Sequence, residues 1–330
     1  MLVSVAIVAY NEEKTLPALL NDLLAQEYPR KNMEVLLIDS LSSDGTKQVM
    51  ETFARQEHGF ARVVVLDNPG KILPCGCNVA LKNYTGDAIV RIDAHASVPQ
   101  DFISKNVRAL EQGEFVSGGA RPNMIDEETA WKNMLLAAEQ SMFGSGAADY
   151  RNSGKKKYVS SVFHGMYRRE VYDAVGLYNE QLTRTEDNDM SWRIRQAGHE
   201  ICYDPDIVSY QHTRSSLKGM LRQKYWNGYW IGRTMRINPH CFSLFHFVPA
   251  AFVGAIIVTS ALSAVGIWHL AALMWALYAV VAVGMAVLAA VTGEKRSLFF
   301  LLLPVVFLLL HLCYGAGTFV GLARAFFGKK

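Results

Sequence analysis

The sequence predicts an α/β domain built on a parallel sheet, followed by a membrane domain of hydrophobic helices. Strand and helix signals alternate through the first 120 residues, as they do where crossover helices join parallel strands. Charged residues are absent from Ile237 to Gly293 and again from Leu298 to Ala323, whereas the residues before Arg236 have the composition of a soluble protein. These two observations divide the chain into a soluble and a membrane half.

The soluble half begins with an alternation of apolar strand segments and amphipathic helix segments. β-branched apolar runs predict strands, and apolar residues at helical spacing predict helices. We expect strands at Leu2–Ala9, Met33–Asp39, Arg62–Leu66 and Ala88–Asp93, and helices at Thr15–Gln26, Gly45–Arg55, Pro74–Asn83 and Glu127–Phe143. In open sheets of this kind ligands bind beyond the carboxyl ends of the strands, where Asn11, Asp39 and Asp93 lie.

The membrane half is long enough for about three hydrophobic segments. A spanning helix needs about 20 apolar residues, so we expect segments at about 243–265, 269–291 and 298–321. Three full spans would leave Arg324, Lys329 and Lys330 on the side opposite the first domain, against the preference for basic residues in the cytoplasm. Either the last segment re-enters, bent at Pro304, or an earlier segment does not cross. Both readings stay open.

A basic, aromatic stretch precedes the hydrophobic segments. Residues 214–240 contain no acidic residue, and four aromatic residues interleave with the cations: Tyr225, Trp226, Tyr229 and Trp230. Such a helix suits the lipid headgroups, since each cation near an anionic leaflet contributes about 1 kcal/mol. An ordinary solvated helix is the alternative. We therefore divide the chain into a first domain 1–213, an interfacial region 214–240 and a membrane domain 241–330.

Composition and motif searches weaken several other classes. The net charge of +3 gives no reason to expect a nucleic-acid partner. The first strand is not followed by Gly-x-Gly-x-x-Gly, and Gly-x-x-x-x-Gly-Lys-Ser/Thr is absent, so dinucleotide dehydrogenases and P-loop enzymes lose their main support. Five scattered cysteines predict buried thiols in a reducing compartment. With no signal-peptide pattern before the first strand, we expect the first domain to be cytoplasmic.

Four motifs, in the expected order, resemble glycosyltransferase family 2. Residues 4–13 (SVAIVAYNEE) resemble the family's first strand and turn, and residues 36–46 (LLIDSLSSDGT) resemble its second strand. Residues 90–96 (VRIDAHA) occupy the place of its metal-binding Asp-x-Asp, and residues 185–193 (TEDNDMSWR) resemble its catalytic acidic motif. The Asp-Ala-His variant and the hydrophobic tail are most similar to bacterial succinoglycan and exopolysaccharide biosynthesis glycosyltransferases.

The resemblance implies a GT-A fold, a Rossmann-like nucleotide-diphospho-sugar transferase domain, with a nucleotide-sugar donor. The implied donor-binding residues are Ala9, Asn11, Glu12, Asp39, Lys71 and Asp93. Asp39 would bind the base, with Asn11 and Glu12 beside the base or ribose, and Lys71 would reach a phosphate. Two alternatives remain: Asp39 is a turn residue that caps the next loop, and Lys71 is a surface lysine.

Asp93 and His95 would hold a divalent metal, with His212 completing the site by its position in the family. Alternate residues of an extended segment point the same way, so the first two side chains can share one ion. A carboxylate–imidazole pair suits Mn²⁺ better than Mg²⁺. Because the family has a second aspartate where this chain has His95, the identity of the metal stays open. His212 can also be a surface histidine near the membrane.

Asp187 matches the catalytic base of the family, and Glu186 is the second candidate. Inversion by direct displacement needs a carboxylate that accepts the proton of the acceptor hydroxyl. A carboxylate that caps a helix start is the alternative for Asp187. The acceptor would contact His164, Gly165 and Trp226. The Gly-rich stretch 144–157 fits a lid near the acceptor and an ordinary surface loop equally well.

We therefore expect an inverting, metal-dependent hexosyltransferase in the cytoplasmic membrane, multi-pass, with its catalytic domain in the cytoplasm. Its acceptor would be a lipid-linked saccharide of exopolysaccharide or cell-surface glycan synthesis, and the resemblance suggests UDP-glucose as donor. A polyprenyl-phosphate sugar synthase is the main alternative. A processive polysaccharide synthase is less favoured, because residues 223–226 (QKYW) lack the Gln-x-x-x-Trp spacing of that class. A non-catalytic scaffold would not need Asp39, Asp93 and Asp187.

Overall fold

The computed structural model describes residues 1–125, 128–144, 154–212, 216–292 and 297–328, without the side chain of His212. The chain forms two compact units. The first consists of Met1–Pro122 and Asp149–His212, and the second of Asn123–Ala148 and Thr213–Lys330. The first unit therefore ends next to the predicted boundary at residue 213, but residues 123–148 group with the helices of the second unit.

A mixed sheet of eight strands is the centre of the described part of the first unit, in the order β3–β2–β1–β4–β9–β6–β10–β8. The strands of the chain are β1 Val3–Ala9, β2 Met33–Asp39, β3 Arg62–Asp67, β4 Ala88–Arg91, β5 Ala96–Ser97, β6 Val116–Ala120, β7 Asn123–Met124, β8 Lys157–Val159, β9 Phe163–Arg168, β10 Ile201–Val208 and β11 Tyr210–His212. Strands β1 to β4 are parallel, and β9 runs antiparallel to both β4 and β6. Strands β5 and β11 form a small antiparallel pair.

The helices are α1 Leu16–Leu24, α2 Thr46–Ala54, α3 Leu73–Asn83, α4 Phe102–Glu111, α5 Ala130–Gln140, α6 Arg169–Val175, α7 Glu186–Gln196, α8 Leu217–Thr234, α9 Val248–Ala264, α10 His269–Thr292 and α11 Leu303–Phe327. Short 3₁₀ turns cover Arg30–Asn32, Pro239–Cys241, Leu244–Phe247 and Leu298–Leu302. The strands and helices predicted in the first 120 residues are confirmed, each end within two residues. The helix predicted at 127–143 is shorter, and residue 127 lies outside the described part of the chain.

The central strands are largely apolar because helices cover both faces of the sheet; of the exceptions, Ser4 and Glu34 are buried and hydrogen-bonded to each other. In β1, Val5 and Ile7 join one buried cluster, and the intervening Ala6 joins the cluster on the other face. Every residue of β2 is buried. This is the pattern of a parallel sheet enclosed on both sides, and it explains why these strands appear as continuous apolar runs. Because helices cover both faces of the sheet, a ligand can reach it only at the ends of the strands.

In the described part of the second unit, three helical segments are long and apolar enough to cross a membrane: Leu244–Ala264, His269–Thr292 and Leu298–Phe327. The first two are separated at Gly266, where φ is +90°, as the predicted break near residues 266–269 requires. The bend considered at Pro304 is absent. Pro304 lies in the first turn of α11, where a missing N–H removes no helical hydrogen bond, so the helix continues to Phe327.

Helices α8 and α11 pack backbone against backbone through glycines. A methyl group at Gly321 of α11 would overlap the carbonyl oxygen of Tyr229 on α8, and one at Gly228 of α8 would overlap that of Tyr314 on α11. Only glycine permits this approach, so the α8–α11 contact depends on it.

We predict that Gly321→Ala destabilises the second unit, by about 2 kcal/mol as for an overpacked core. The midpoint of thermal unfolding in detergent should fall. Gly284→Ala on α10 is the matched control, because a methyl group there meets nothing within 4 Å and alanine favours helix. Equal midpoints for the two variants would contradict the backbone contact.

Candidate active site

The loops that follow β1 and β2 are tied together by backbone and side-chain hydrogen bonds. The Asn11 Oδ1 accepts from the Ser43 amide at 2.8 Å, and the Ala9 carbonyl accepts from the Ser40 amide at 2.8 Å. The buried Asp39 accepts from the Ser42 amide at 3.2 Å. Asp39 thus has the loop-capping contact of the turn alternative, and its predicted contact with the nucleotide base stays a prediction.

Among the described residues of the first unit, four that are not glycine adopt positive φ, and three of them follow consecutive strands. The angles are +55° at Asn11, +57° at Leu41, +61° at Lys71 and +47° at His164. Such conformations are uncommon outside glycine and collect at functional sites. These four backbone conformations set the shape of the loops at this edge of the sheet in the absence of ligand. Nothing in the sequence signals a left-handed leucine at position 41, so sequence reasoning missed it.

Arg91, at the end of β4, links two of the predicted acidic positions. Its Nε lies 3.7 Å from Asp93 Oδ1, and its Nη1 lies 3.7 Å from Glu186 Oε1. Burial opposes ionisation of Asp93, but the nearby His164 ring and Arg91 guanidinium hold its pKa well below the usual range. Asp93 is therefore a carboxylate. Arg91 was not among the residues predicted from the sequence, although a charged residue at the end of a buried apolar strand is a signal that the sequence contains.

Glu12 contacts His95. The Glu12 Oε1 lies 2.9 Å from His95 Nδ1, and its Oε2 accepts from the Thr15 hydroxyl at 2.5 Å. Burial opposes ionisation of Glu12, yet the hydrogen bonds from His95 and Thr15 lower its pKa. A metal-binding histidine usually gives its other ring N–H to a carboxylate, which fixes tautomer and ring orientation. Asp93, His95 and Glu12 therefore fit a divalent ion by the chemistry of the donor set.

The third predicted metal ligand is not observed. Within the described ranges no group of three or more His, Cys, Asp and Glu side chains is arranged to hold a metal ion. His212 ends β11, but its side chain lies outside the described part of the structure. Two protein ligands, Asp93 and His95, remain for an ion, so other ligands would have to come from the donor or from His212.

His164 supports the backbone of Asp93. The ring is buried, and its Nε2 accepts from the Asp93 amide at 3.2 Å. Burial lowers the pKa of His164, which favours the neutral ring that this hydrogen bond needs. Gly165 beside it is also buried. The predicted acceptor contacts of these two residues and of Trp226, which is 37% exposed on α8, stay predictions.

The two carboxyl groups at the start of α7 have different surroundings. Glu186 is buried, and its Oε2 has no hydrogen-bond partner among the described residues. Burial, with the neighbouring Asp187, raises the pKa of Glu186 and favours its neutral form. Asp187 is exposed at the first turn, although the protein around it raises its pKa too. Asp189 instead pairs with Arg193 at 2.9 Å within the helix.

Two further features concern the basic residues near the site. Arg121, after β6, stacks on the Phe163 ring at 3.8 Å. Burial lowers the pKa of His164, and the charge of Arg121 lowers it further. At Asp187 desolvation raises the pKa, and the charges of Arg91 and Arg121 oppose that rise. Of the stretch predicted as a lid or surface loop, residues 145–153 lie outside the described ranges. The described Lys156 pairs with Glu114 at 3.0 Å.

Comparisons with known proteins agree with this architecture. Residues 4–176 match the profile described as Glycosyl transferase family 2. A relative from Methanococcus voltae, dolichyl N-acetyl-alpha-D-glucosaminyl phosphate 3-beta-D-2,3-diacetamido-2,3-dideoxy-beta-D-glucuronosyltransferase, is 24% identical over 331 residues, which covers 98% of this chain and 97% of the relative. Succinoglycan biosynthesis protein ExoA of Rhizobium meliloti (strain 1021) is 26% identical over 242 residues, covering 72% of this chain and 70% of the relative.

The fold also occurs in a solved structure. Mannosyltransferase PcManGT from Pyrobaculum calidifontis, in complex with GDP-Man and Mn²⁺, superposes with a TM-score of 0.65 at 18% identity, covering 100% of this chain and 88% of that one. The first unit therefore has the predicted GT-A fold. The acidic residues at the start of α7 lie beyond the residues that match the family profile, so their assignment depends on the geometry above.

We predict that Arg91→Met lowers the free energy of unfolding by about 3 kcal/mol, because removal of one partner leaves a buried carboxylate without its counter-ion. Thermal unfolding in detergent measures the change. Arg55→Met is the matched control, since Arg55 and Glu51 form an exposed helix pair at 3.6 Å of little value to stability. If Arg91→Met unfolds at the same temperature as the wild type, then Asp93 and Glu186 do not need the cation.

Proposed function

From the membership of the chain in glycosyl transferase family 2, we propose that it moves a sugar from a nucleotide-sugar donor to a membrane lipid-linked saccharide, with inversion. The observation that carries this proposal is the division between a buried Glu186 and an exposed Asp187. Two neighbouring carboxyl groups held in different environments can perform different tasks. Only the exposed one can meet the hydroxyl of an acceptor.

Asp187 is the proposed base. It accepts the proton of the acceptor hydroxyl while the oxygen attacks the anomeric carbon and the bond to the nucleoside diphosphate breaks on the opposite face. Glu186 stays protonated beside it and adds no charge that would repel the departing diphosphate. Arg91, in contact with Glu186 and Asp93, holds the base segment and the donor segment in fixed relation.

Asp93 and His95 are the proposed ligands of a divalent ion, with Glu12 holding the imidazole of His95. When bound, such an ion acts as a Lewis acid that offsets the charge on the leaving diphosphate. A carboxylate and an imidazole favour Mn²⁺ over Mg²⁺, which prefers oxygen ligands and water. The Mn²⁺ of the mannosyltransferase with the same fold supports a divalent ion here.

The donor and acceptor are proposed from the relatives. The succinoglycan relative and the dolichyl-phosphate-linked acceptor in the name of the archaeal relative support a lipid-linked saccharide; UDP-glucose is the proposed donor. The catalytic domain would face the cytoplasm. A polyprenyl-phosphate sugar synthase is the alternative, but its acceptor oxygen is an ionised phosphate that needs no base. The placement of Asp187 favours a hydroxyl acceptor.

Turnover of a panel of nucleotide sugars with membrane lipid extracts tests the proposal directly. Mass spectrometry of the lipid product identifies both the added sugar and the acceptor. One hexose added to a lipid-linked saccharide is the expected result. A sugar attached directly to a polyprenyl phosphate would establish the alternative, and a ladder of repeated additions would indicate a processive synthase.

We predict that Asp187→Asn lowers transfer by about 10²–10⁴-fold, the usual contribution of a general base, with donor affinity nearly unchanged. Glu186→Gln is the matched control: if Glu186 is already neutral, the amide replaces it at little cost in rate. Single-turnover transfer and donor titration measure the two effects. A loss in Glu186→Gln as large as that in Asp187→Asn would make Glu186 the base.

We also predict that donor binding depends on metal through His95. Wild type should bind nucleotide sugar more tightly with Mn²⁺ than with Mg²⁺, and most weakly with EDTA. His95→Ala should weaken the metal-dependent part of binding, and His95→Asp should shift the preference toward Mg²⁺. Calorimetric titration of each variant measures these affinities without turnover. Equal affinities under all three conditions would leave His95 without a metal role.

A further inference from the structure

Helices α8 and α11 run parallel to each other over much of their length. Methyl groups at Gly317 and Gly321 of α11 would overlap the carbonyl oxygens of Tyr225 and Tyr229 on α8. As the residue number of the contact increases on α11, it also increases on α8, so the two helices run in the same direction. Since a glycine contact fixes the backbones at their closest approach, the depth of one helix in the membrane limits the depth of the other.

The two helices also end together. The Arg233 Nη1 donates to the Arg324 carbonyl at 3.3 Å, and the Arg236 Nη1 donates to the Ala325 carbonyl at 2.9 Å. Guanidinium groups therefore satisfy carbonyls of the last turn of α11 and oppose the negative end of its dipole. With Arg324 itself, three arginines collect at this end of the pair.

Helix α8 is too polar to cross the hydrocarbon layer. Between Lys224 and Arg233 it has only eight uncharged residues, a length of about 12 Å at the helical rise per residue, against about 30 Å of hydrocarbon. Lys218 and Arg222 are exposed in its first half, whereas Lys224 is buried there in an ion pair with Glu139 at 3.2 Å. Each charge at the centre of a bilayer costs about 2.5–3.5 kcal/mol even on the insertion scale. The depth of α8 is therefore that of the headgroups.

The first half of α11 is covered by a second helix of mixed polarity. Leu303, Val306 and Phe307 of α11 pack in one buried cluster with Met134 and Leu135 of α5, and α5 also carries Lys132 and Glu139. In the most apolar part of the segment Leu298–Phe327, 33% is buried by protein, against 6% in Leu244–Ala264 and 11% in His269–Thr292. Helices α9 and α10 thus expose their surface as spanning helices do, and α11 does so on one side only.

We propose that α11 is not a third membrane span: with α8 it forms a two-helix layer in the lipid headgroup region, with its open apolar side toward the acyl chains. That side carries Val305, Phe319, Val320, Phe326 and Phe327, all exposed. The exposed cations Lys218, Arg222 and Arg236 suit the headgroups, so the fitting partner is an anionic lipid surface. Both ends of α11 then lie on one side of the membrane.

Three full spans would place the C-terminal basic residues on the side opposite the first domain, against the positive-inside rule. The proposed arrangement avoids this. Two crossings, by α9 and α10, return the chain to the side from which it entered. Arg324 and the basic residues at sequence positions 295–296 and 329–330 then share the side of α8. This is the distribution that the positive-inside rule favours, and three spans could not produce it.

Two reporter positions in the full chain decide the point. An 11-residue fragment of a split fluorescent protein is placed after Thr292 in one version and after Lys330 in another, and the large fragment is expressed in the cytoplasm. If α11 does not cross, the two positions are on the same side and give the same result, and we expect fluorescence from both. Fluorescence from only one of them would show that α11 crosses and would overturn the proposal.

Two controls make the comparison independent of expression and of the crossings before α11. Each version is lysed in detergent with added large fragment, so that the signal in cells is read as a fraction of the total signal. A third version carries the reporter in the turn after Gly266 and should stay dark in cells. Its fluorescence would mean that α9 does not cross, which would contradict the two-crossing arrangement.

Discussion

The charge of Arg91 is the interaction on which the arrangement of the candidate site depends. A cation at the end of a buried strand needs polar partners, and the two within reach come from distant parts of the sequence. They are the carboxylate of Asp93 just after β4 and the carboxyl group of Glu186 at the start of α7, whose neutral form is favoured. The proposed metal-binding segment and the proposed base segment are therefore held to one guanidinium. A shift of either segment would expose a buried charge, which is a strong restraint on both.

The same restraint explains why two adjacent carboxyl groups can have different roles. Glu186 is turned inward against Arg91, yet the burial of its side chain favours the neutral form. Asp187, one residue along the first turn of α7, is turned outward. A helix can bury one of these residues and expose the next, because successive side chains point about 100° apart around the helix axis. The division of tasks is thus a consequence of helix geometry combined with one buried cation.

Sequence patterns predicted the sheet and its helices, and they located candidate site residues at strand ends, because these features depend on local information. Apolar runs marked β1 and β2, and residues after strand ends marked Asn11 and Asp93. What the patterns could not supply were relations between distant residues. The contact of Glu12 with His95 joins the loop after β1 to the segment after β4. The spacing of residues in the two motifs does not predict this contact. The left-handed backbone at Leu41 is likewise a property of the folded loop.

The three hydrophobic segments expected from hydropathy are present, but in the proposed two-crossing arrangement hydropathy alone does not decide whether the last one crosses, and the reason is physical. The mean hydropathy of a segment reflects the free energy of transferring that helix alone into lipid. A helix packed in a protein enters the membrane together with the helices that it contacts. The glycines of α11 bind it to α8 along a line of backbone contacts, so the relevant free energy is that of the pair, which includes the cations of α8. Glycines at four-residue spacing, Gly228 and Gly232 on one helix and Gly317 and Gly321 on the other, carry this information in the sequence. They become informative only once the partner helix is known, because the same spacing also serves the pairing of spanning helices.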